Sequence, residues 1–145
     1  MKLPEYITVD EVRRVCNELG IRDWTTLSEP RITDEEAEKV LAEVNPGNLP
    51  VSLEDFRIGL EVELEHGVVY PDSNVTNNHP VLTGMIVMAH FQETLDYYQR
   101  LDVAEIEGDM LKAATEGDSA KLMAKYKKLV EAKKTLADAE NRLLK

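Results

Sequence analysis

The sequence has a single cysteine and no long apolar run. Cys16 has no second cysteine to pair with, so a disulfide within the chain is excluded. No stretch approaches the roughly 18 to 20 consecutive apolar residues that cross a bilayer, and the first residues, MKLPEYITVDEV, lack the apolar core of a signal peptide. We therefore expect no membrane partner and a cytoplasmic location.

Positive charge is also scarce. The chain has 17 Lys and Arg against 28 Asp and Glu, a net charge of -11. Such a charge repels the phosphate backbone, so we predict no nucleic-acid partner. Six lysines nevertheless cluster near the C-terminus, and they predict either a solvated helix face or a docking surface for an acidic partner. They are Lys121, Lys125, Lys127, Lys128, Lys133 and Lys134.

The length and composition of the chain are typical of a globular protein of one domain. Hydrophobic residues make up 43% of the 145 positions, enough for one sizeable core. The spacing of apolar residues predicts an all-α fold, a compact bundle of five or six helices with a long C-terminal amphipathic helix. Within it we distinguish an N-terminal helical pair (1–48), a core helical hairpin (49–107) and a C-terminal helical extension (108–145).

Helix starts are marked by capping pairs, in which a hydroxyl side chain precedes a carboxylate by three residues. The pairs are Thr8 with Glu11, Thr33 with Glu36, and Ser52 with Asp55. The third pair begins a helix predicted over residues 52–66, which Gly67 ends.

Pro80 marks the start of another helix, which we predict over residues 80–101. From Val81 to Phe91 it is apolar on nearly every side, which is typical of the buried centre of a bundle. We expect this helix to lie antiparallel to helix 52–66.

These two helices carry the candidate site, because each bears a histidine three residues from a glutamate. The pairs are Glu63 with His66 and His90 with Glu93, supported by Gly59 on the first helix and Tyr97 on the second. Facing helices that carry such pairs can form a metal site, and the ion would be a divalent transition metal, Fe or Zn. The favoured alternative is a hydrogen-bonded network with no cofactor.

Acid/base catalysis by the same groups is the weakest interpretation. The sequence has no glycine-rich phosphate loop and no recognisable nucleophile arrangement. We therefore expect a protein that is not an enzyme.

The C-terminal helix carries leucines at intervals of seven residues, which predict an interaction surface. Its members are Leu122, Leu129, Leu136 and Leu143, together with Tyr126. Two interpretations are open: the helix packs on its own domain, or it pairs with another copy or a partner helix. A coiled-coil seam completed by Lys133 and Glu140 would be poorly apolar.

Two segments resemble an uncharacterised domain family of bacteria and tailed phages. They are LEDFRIGLEVELEHG, residues 53–67, and NVTNNHPVLTGMIVMAHFQETLDYYQRL, residues 74–101. Members of the family look like E-F-R-x-G-x-x-V-E-L-E-H-G, then N-V-T-N-D-D-P-x-x-T-x-K-I-A-x-A-H-L-x-E-x-x-D-Y-Y. This chain departs from that pattern at Asn78 and His79, where acidic residues are usual, and at Met85, where lysine is usual.

The resemblance covers roughly residues 50 to 107 and implies no activity. Similar segments occur in phage proteins associated with head morphogenesis. It therefore implies a structural or interaction protein associated with capsid or virion assembly. Its partners would be capsid or portal components or a second copy, with a homo-oligomer formed through the C-terminal helix.

Overall fold

The computed structural model describes residues 4–145, and every helix and turn within them fits the predicted all-α class. Six α-helices follow one another, and no strand occurs in this range. They are α1 (Val9–Leu19), α2 (Asp34–Val44), α3 (Leu53–Val68), α4 (Pro80–Glu93), α5 (Tyr97–Thr115) and α6 (Ser119–Leu143), with single 3-10 turns at Trp24–Thr26 and Pro71–Ser73. None of the described helices is long and apolar enough to cross a membrane.

The predicted caps are confirmed. The Thr8 hydroxyl accepts a hydrogen bond from the Glu11 N–H at 3.2 Å, and the Ser52 hydroxyl accepts one from the Asp55 N–H at 3.0 Å. Thr33 and Glu36 form a full capping box, in which each side chain bonds the other residue's backbone N–H. The starts of α1, α2 and α3 therefore follow from local sequence alone.

The chain divides into two compact units, an N-terminal unit of residues 1–92 and a C-terminal unit of residues 93–145. This boundary differs from the predicted ones after residues 48 and 107. It falls at the end of α4, so α1, α2, α3 and nearly all of α4 belong to the first unit. The hairpin of α5 and α6 is the second.

The core of the N-terminal unit draws on all four of its helices. Its most deeply buried side chains are Val12, Cys16, Trp24, Val40, Phe56, Leu60, Leu64, Val87 and Phe91. The burial of Cys16 agrees with its place among apolar residues of α1. Gly84 of α4 lies so close to α2 that a Cβ there would be 2.8 Å from Val40 Cγ1.

One carboxylate is buried beside this core. Glu36 is only 4% exposed. Its Oε1 accepts from Arg22 Nε at 2.9 Å and from Trp24 Nε1 at 3.3 Å, and its Oε2 accepts from the Thr33 N–H at 2.8 Å. Burial would raise the pKa of this carboxyl, but these donors, Arg22 foremost, lower it from 4.5 to about 2. Glu36 thereby ties the 3-10 turn at Trp24 to the start of α2.

The prediction of one continuous helix over residues 80–101 is wrong, because the helix breaks after Glu93. α4 ends at Glu93, and α5 begins at Tyr97. Between them, buried Asp96 accepts hydrogen bonds from the Thr94 hydroxyl and from Arg100 Nε, the latter at 3.0 Å. Such local side-chain bonds compete with helix continuation, which periodicity alone does not reveal.

Burial on every side of α4 is also not observed. Met85 is 56% exposed and Ile86 is 42% exposed, although Val87 and Met88 beside them are buried. The apolar composition of α4 therefore does not mean that it lies at the centre of a bundle.

In the C-terminal unit, α5 and α6 pack along a seam whose core is Ile106, Leu129 and Ala132. Ala139 is also buried, so the seam of α6 alternates leucine with alanine every three or four residues. The expectation that Lys133 and Glu140 complete the seam is corrected. Lys133 pairs with Glu107 at 3.3 Å, and Glu140 accepts from Arg100 at 2.8 Å.

Candidate functional site

Glu63 lies between two imidazoles in the N-terminal unit. Its Oε1 is 3.5 Å from Nε2 of His90 on α4, and its Oε2 is 3.8 Å from Nδ1 of His66 one turn later on α3. The Glu63 side chain is 12% exposed, that of His90 27% and that of His66 71%. Three of the four predicted ligands therefore lie together: the Glu63 carboxylate and the imidazoles of His66 and His90.

The ring of His66 is also oriented by the helix backbone. Its Nδ1 lies 3.2 Å from the carbonyl oxygen of Glu63. A proton on Nδ1 would be donated to that carbonyl, which leaves Nε2 directed away from the helix. His66 therefore offers its second nitrogen to solvent.

The remaining predicted members of the site are Glu93, Tyr97 and Gly59. Glu93 is the last residue of α4 and falls in the C-terminal unit, and Tyr97 begins α5. The ring of Tyr97 packs edge-on against that of Tyr98, with ring centroids 5.2 Å apart. Because α4 ends at Glu93, Tyr97 does not lie on the same helix as His90 and Glu93. Gly59 is buried within α3.

A cleft of about 230 Å³ opens beside Glu63 and His66. The loop after α3 supplies its polar lining through Asn74 and Thr76, while Ile86 of α4 supplies an apolar wall. Apart from Ser73, the lining residues come from the two segments that carry the family resemblance. A carboxylate, an imidazole and an amide thus share one concave surface.

Gly67 shapes the cleft in a way that corrects its predicted role. It does not end α3, which continues to Val68. Instead, a Cβ at Gly67 would lie 2.0 Å from Asn78 Oδ1 and 2.7 Å from Asn74 Cγ. The glycine lets the asparagine loop approach the helix closely.

Asparagines hold that loop in place. Asn77 and Asn78 adopt left-handed backbone conformations, with φ of 50° and 60°. Asn78 Nδ2 donates to the Trp24 carbonyl at 3.2 Å, and Asn77 Nδ2 donates to the Ile7 carbonyl at 2.6 Å. Asn74 also bonds within the loop, because its Oδ1 accepts from the Asn78 N–H at 3.3 Å.

Two glutamates flank Glu63 on α3, and their surroundings differ. Glu65 is exposed to solvent. The Glu61 side chain is only 19% exposed and lies 3.1 Å from Arg57. It also accepts from the Ile32 N–H at 3.2 Å. Glu61 therefore joins α3 to the segment before α2, a long-range role that helical spacing does not predict.

His79 has a structural role that its place in the sequence does not predict. It is 7% exposed, and its Nδ1 accepts from the Leu82 N–H at 3.3 Å in the first turn of α4. Burial lowers the pKa of this imidazole below its usual 6.5. His79 is a neutral helix cap.

The cluster around Glu63 offers few ligands for a metal ion. Within residues 4–145, no group of three or more His, Cys, Asp or Glu side chains is arranged to hold an ion. What the geometry does provide is a carboxylate within reach of two imidazoles, an arrangement that can share a proton or bind one cation.

The residues of the predicted interaction surface on the C-terminal helix fall into a buried or partly buried group and an exposed group. Leu129 is buried in the seam with α5, which agrees with the interpretation that the helix packs on its own domain, and Leu122 and Leu136 are partly buried. Tyr126 and Leu143 remain exposed, at 53% and 47%.

A second apolar stripe follows α6 roughly 110° around the helix from the seam. We call it the outer stripe, and its members are Met123, Tyr126, Val130, Ala137 and Leu144. Met123 is 57% exposed, Val130 50% and Leu144, which caps the helix, 85%. Exposed apolar residues aligned in this way are typical of an interaction surface.

The chain matches one known protein family. The model of a family described as a protein of unknown function, DUF5661, matches residues 12–107. The chain belongs to that family. The match includes most of α1 and all of α2, so the family region extends beyond the resemblance at residues 50 to 107 to the N-terminal helical pair. Searches of curated proteins and of solved structures gave no match.

Proposed function

We propose that this chain is a non-enzymatic structural or interaction protein, phage-related and associated with capsid or virion assembly, that binds its partner through the outer stripe of α6. The observation that carries the proposal is the exposure of Met123, Tyr126 and Val130 at 57%, 53% and 50% on one helix face. Burying three such side chains would contribute several kcal/mol to association.

The hairpin supports this function because it holds the stripe in place. Leu129, Ala132 and Ala139 fix α6 against α5, and ion pairs join Lys125 to Asp109 and Lys133 to Glu107. A partner would meet a preformed helix face, so little ordering entropy opposes binding.

The assembly context rests on the family resemblance of residues 50 to 107 to phage segments associated with head morphogenesis. Capsid and portal components, or another copy of the chain, are the partners that this context implies.

The test replaces Met123 and Val130 together with aspartate in a phage that encodes the chain. We expect the wild-type protein to copurify with heads or complete virions in a fixed ratio, measured by quantitative mass spectrometry, and the double variant to be lost from them. Ala124→Asp is the matched control, because Ala124 is exposed on α6 but lies outside the stripe. Absence of the wild-type chain from all particles, with normal head formation when it is deleted, would refute the proposal.

A second function is favoured by one distance. Two ligands bound tetrahedrally to zinc at about 2.0 to 2.1 Å lie about 3.3 Å apart, and Glu63 Oε1 and His90 Nε2 are 3.5 Å apart. We propose that these two groups can bind one divalent transition metal, Zn or Fe. Calorimetric titration with Zn²⁺ and Fe²⁺ would show binding that Glu63→Gln abolishes and the exposed control Glu65→Gln retains. No heat of binding in the wild type would end this proposal.

A further inference from the structure

The outer stripe lies on a helix whose charge is opposite to that of the N-terminal unit. α6 contains 7 Lys and Arg against 3 Asp and Glu. Residues 1–92 contain 17 Asp and Glu against 7 Lys and Arg, a net charge of -10. A surface that matches the stripe should therefore be apolar and acidic, and two α6 helices would repel each other.

The lysines beside the stripe strengthen this requirement. Lys121, Lys125 and Lys133 pair with carboxylates of their own unit. Lys127 and Lys134, one heptad apart along the edge of the stripe, take part in no ion pair among residues 4–145. Their charge remains available to a partner that brings carboxylates alongside an apolar contact.

The N-terminal unit has a surface with these properties. A groove of about 410 Å³ lies between α3 and the segment before α2. Ile58, which is 36% exposed, and Val62 form its apolar floor. Its lining carries three carboxylates, Glu29, Glu61 and Glu65, against one cation, Arg31. Glu29 and Glu65 are exposed, and Glu29, with a side-chain exposure of 75%, lies 4.0 Å from Arg31 in a solvent-exposed ion pair.

The two surfaces also agree in length. Ile58 and Glu65 are seven residues apart on α3, and so are Met123 and Val130 on α6, which makes each contact line about 10 Å long. Along these lines α3 presents Ile58, Val62 and then Glu65, and α6 presents Met123, Lys127 and then Val130. Each line therefore combines two apolar side chains with one charged side chain.

We infer that the partner of the outer stripe is a second copy of this chain, with α6 of one copy docked in the Ile58–Val62 groove of the next. This inference rests on the proposed interaction function and names its partner. Because the two contact surfaces differ, the contact is head-to-tail, and each added copy presents one unfilled stripe and one unfilled groove. Repetition of this contact gives a ring where the rotation closes and a filament where it does not.

The test is sedimentation velocity over a wide concentration range, at low and high salt, with the full chain. We expect reversible self-association that weakens with salt. The stripe variant Lys127→Glu/Lys134→Glu and the groove variant Glu29→Lys/Glu65→Lys should each weaken it roughly tenfold or more. Lys128→Glu, a reversal on the other side of α6, is the control and should change it little.

The decisive arm is a mixture of the two charge-reversed variants. The acidic stripe of one then meets the basic groove of the other, so we expect association in the mixture although each variant alone is weakened. Circular dichroism of each variant confirms that the helices are intact.

Three results would overturn the inference: a wild-type chain that stays monomeric at all concentrations, association that the groove variant leaves unchanged, or a mixture that does not recover. A monomer that still copurifies with phage particles through the stripe would refute only the self-association and leave the proposed function standing.

Discussion

Replacing Glu36 with glutamine should destabilise the N-terminal unit strongly at neutral pH. The amide keeps the shape of the side chain but loses the charge, and its NH₂ group would face the donors Arg22, Trp24 or Thr33. The carboxyl pKa falls from 4.5 to about 2 in the folded chain, and each unit corresponds to about 1.4 kcal/mol. Because Arg22 is half exposed, we expect a loss of about 2 to 3 kcal/mol.

The sign of the pH dependence follows from the depressed pKa. The unfolded carboxyl binds a proton more readily than the folded one, so the contribution of Glu36 is present in full above about pH 4.5 and is lost as pH falls toward 2. The gap in stability between wild type and Glu36→Gln should therefore be widest near pH 7 and should shrink below pH 4.

Urea unfolding followed by tryptophan fluorescence measures this gap, because Trp24 is the only tryptophan and is fully buried beside Glu36. Glu35→Gln is the control: Glu35 lies in the same first turn of α2 but has a side-chain exposure of 76%. Its effect should stay below about 0.5 kcal/mol. Equal losses for the two variants, or a Glu36→Gln gap that does not change between pH 7 and pH 3, would refute the reasoning.

Three further predictions concern packing and protonation. Gly67→Ala should destabilise the N-terminal unit by about 1 to 3 kcal/mol in urea unfolding, because the new Cβ meets Asn78 at 2.0 Å, whereas Gly108→Ala, with nothing within 4 Å, should stabilise α5 by about 0.5 to 1 kcal/mol. Since the folded pKa of His79 is depressed, stability should fall as pH drops below about 6.5, and thermal unfolding of His79→Gln should show a smaller fall. Leu129→Ala should cost the hairpin about 2 to 4 kcal/mol by circular dichroism, whereas Val130→Ala, 50% exposed, should cost little, and equal effects would contradict the assigned seam.

Local signals in the sequence determined much of the helical framework. Thr8, Thr33 and Ser52 act within one turn, so their caps could be recognised without knowledge of the fold. The break at Thr94–Asp96 could not, because it depends on where the Asp96 side chain finds its donors. A continuous helical pattern across those residues therefore led to one helix where there are two.

The seam of α6 shows a related limit. Leucines every seven residues define half of a heptad seam, but the other half can lie three or four positions after each leucine. The prediction used Lys133 and Glu140, four after Leu129 and Leu136, whereas the helix uses Ala132 and Ala139. Only the position of α5 decides between the two.

The part of the candidate site that depends on regular helical geometry could be predicted from the sequence. The i,i+3 spacing of Glu63 and His66 depends on a single helix, and the approach of His90 to Glu63 was a correct extension across two helices. The role of Gly67 could not be inferred, because the groups that require its missing side chain, Asn74 and Asn78, come from a loop. A glycine near a helix end fits a terminator equally well until that loop is placed.

The separation of the two stripes on α6 bears on how this protein can diversify. The buried seam toward α5 holds the hairpin together, whereas the half-exposed side chains of the outer stripe contribute less to hairpin stability. Substitutions at Met123, Tyr126 or Val130 can therefore accumulate under selection for a new partner without an accompanying repair of the core. Relatives with an unchanged hairpin could differ entirely in what they bind, and the same independence makes α6 a convenient site for engineering orthogonal pairs.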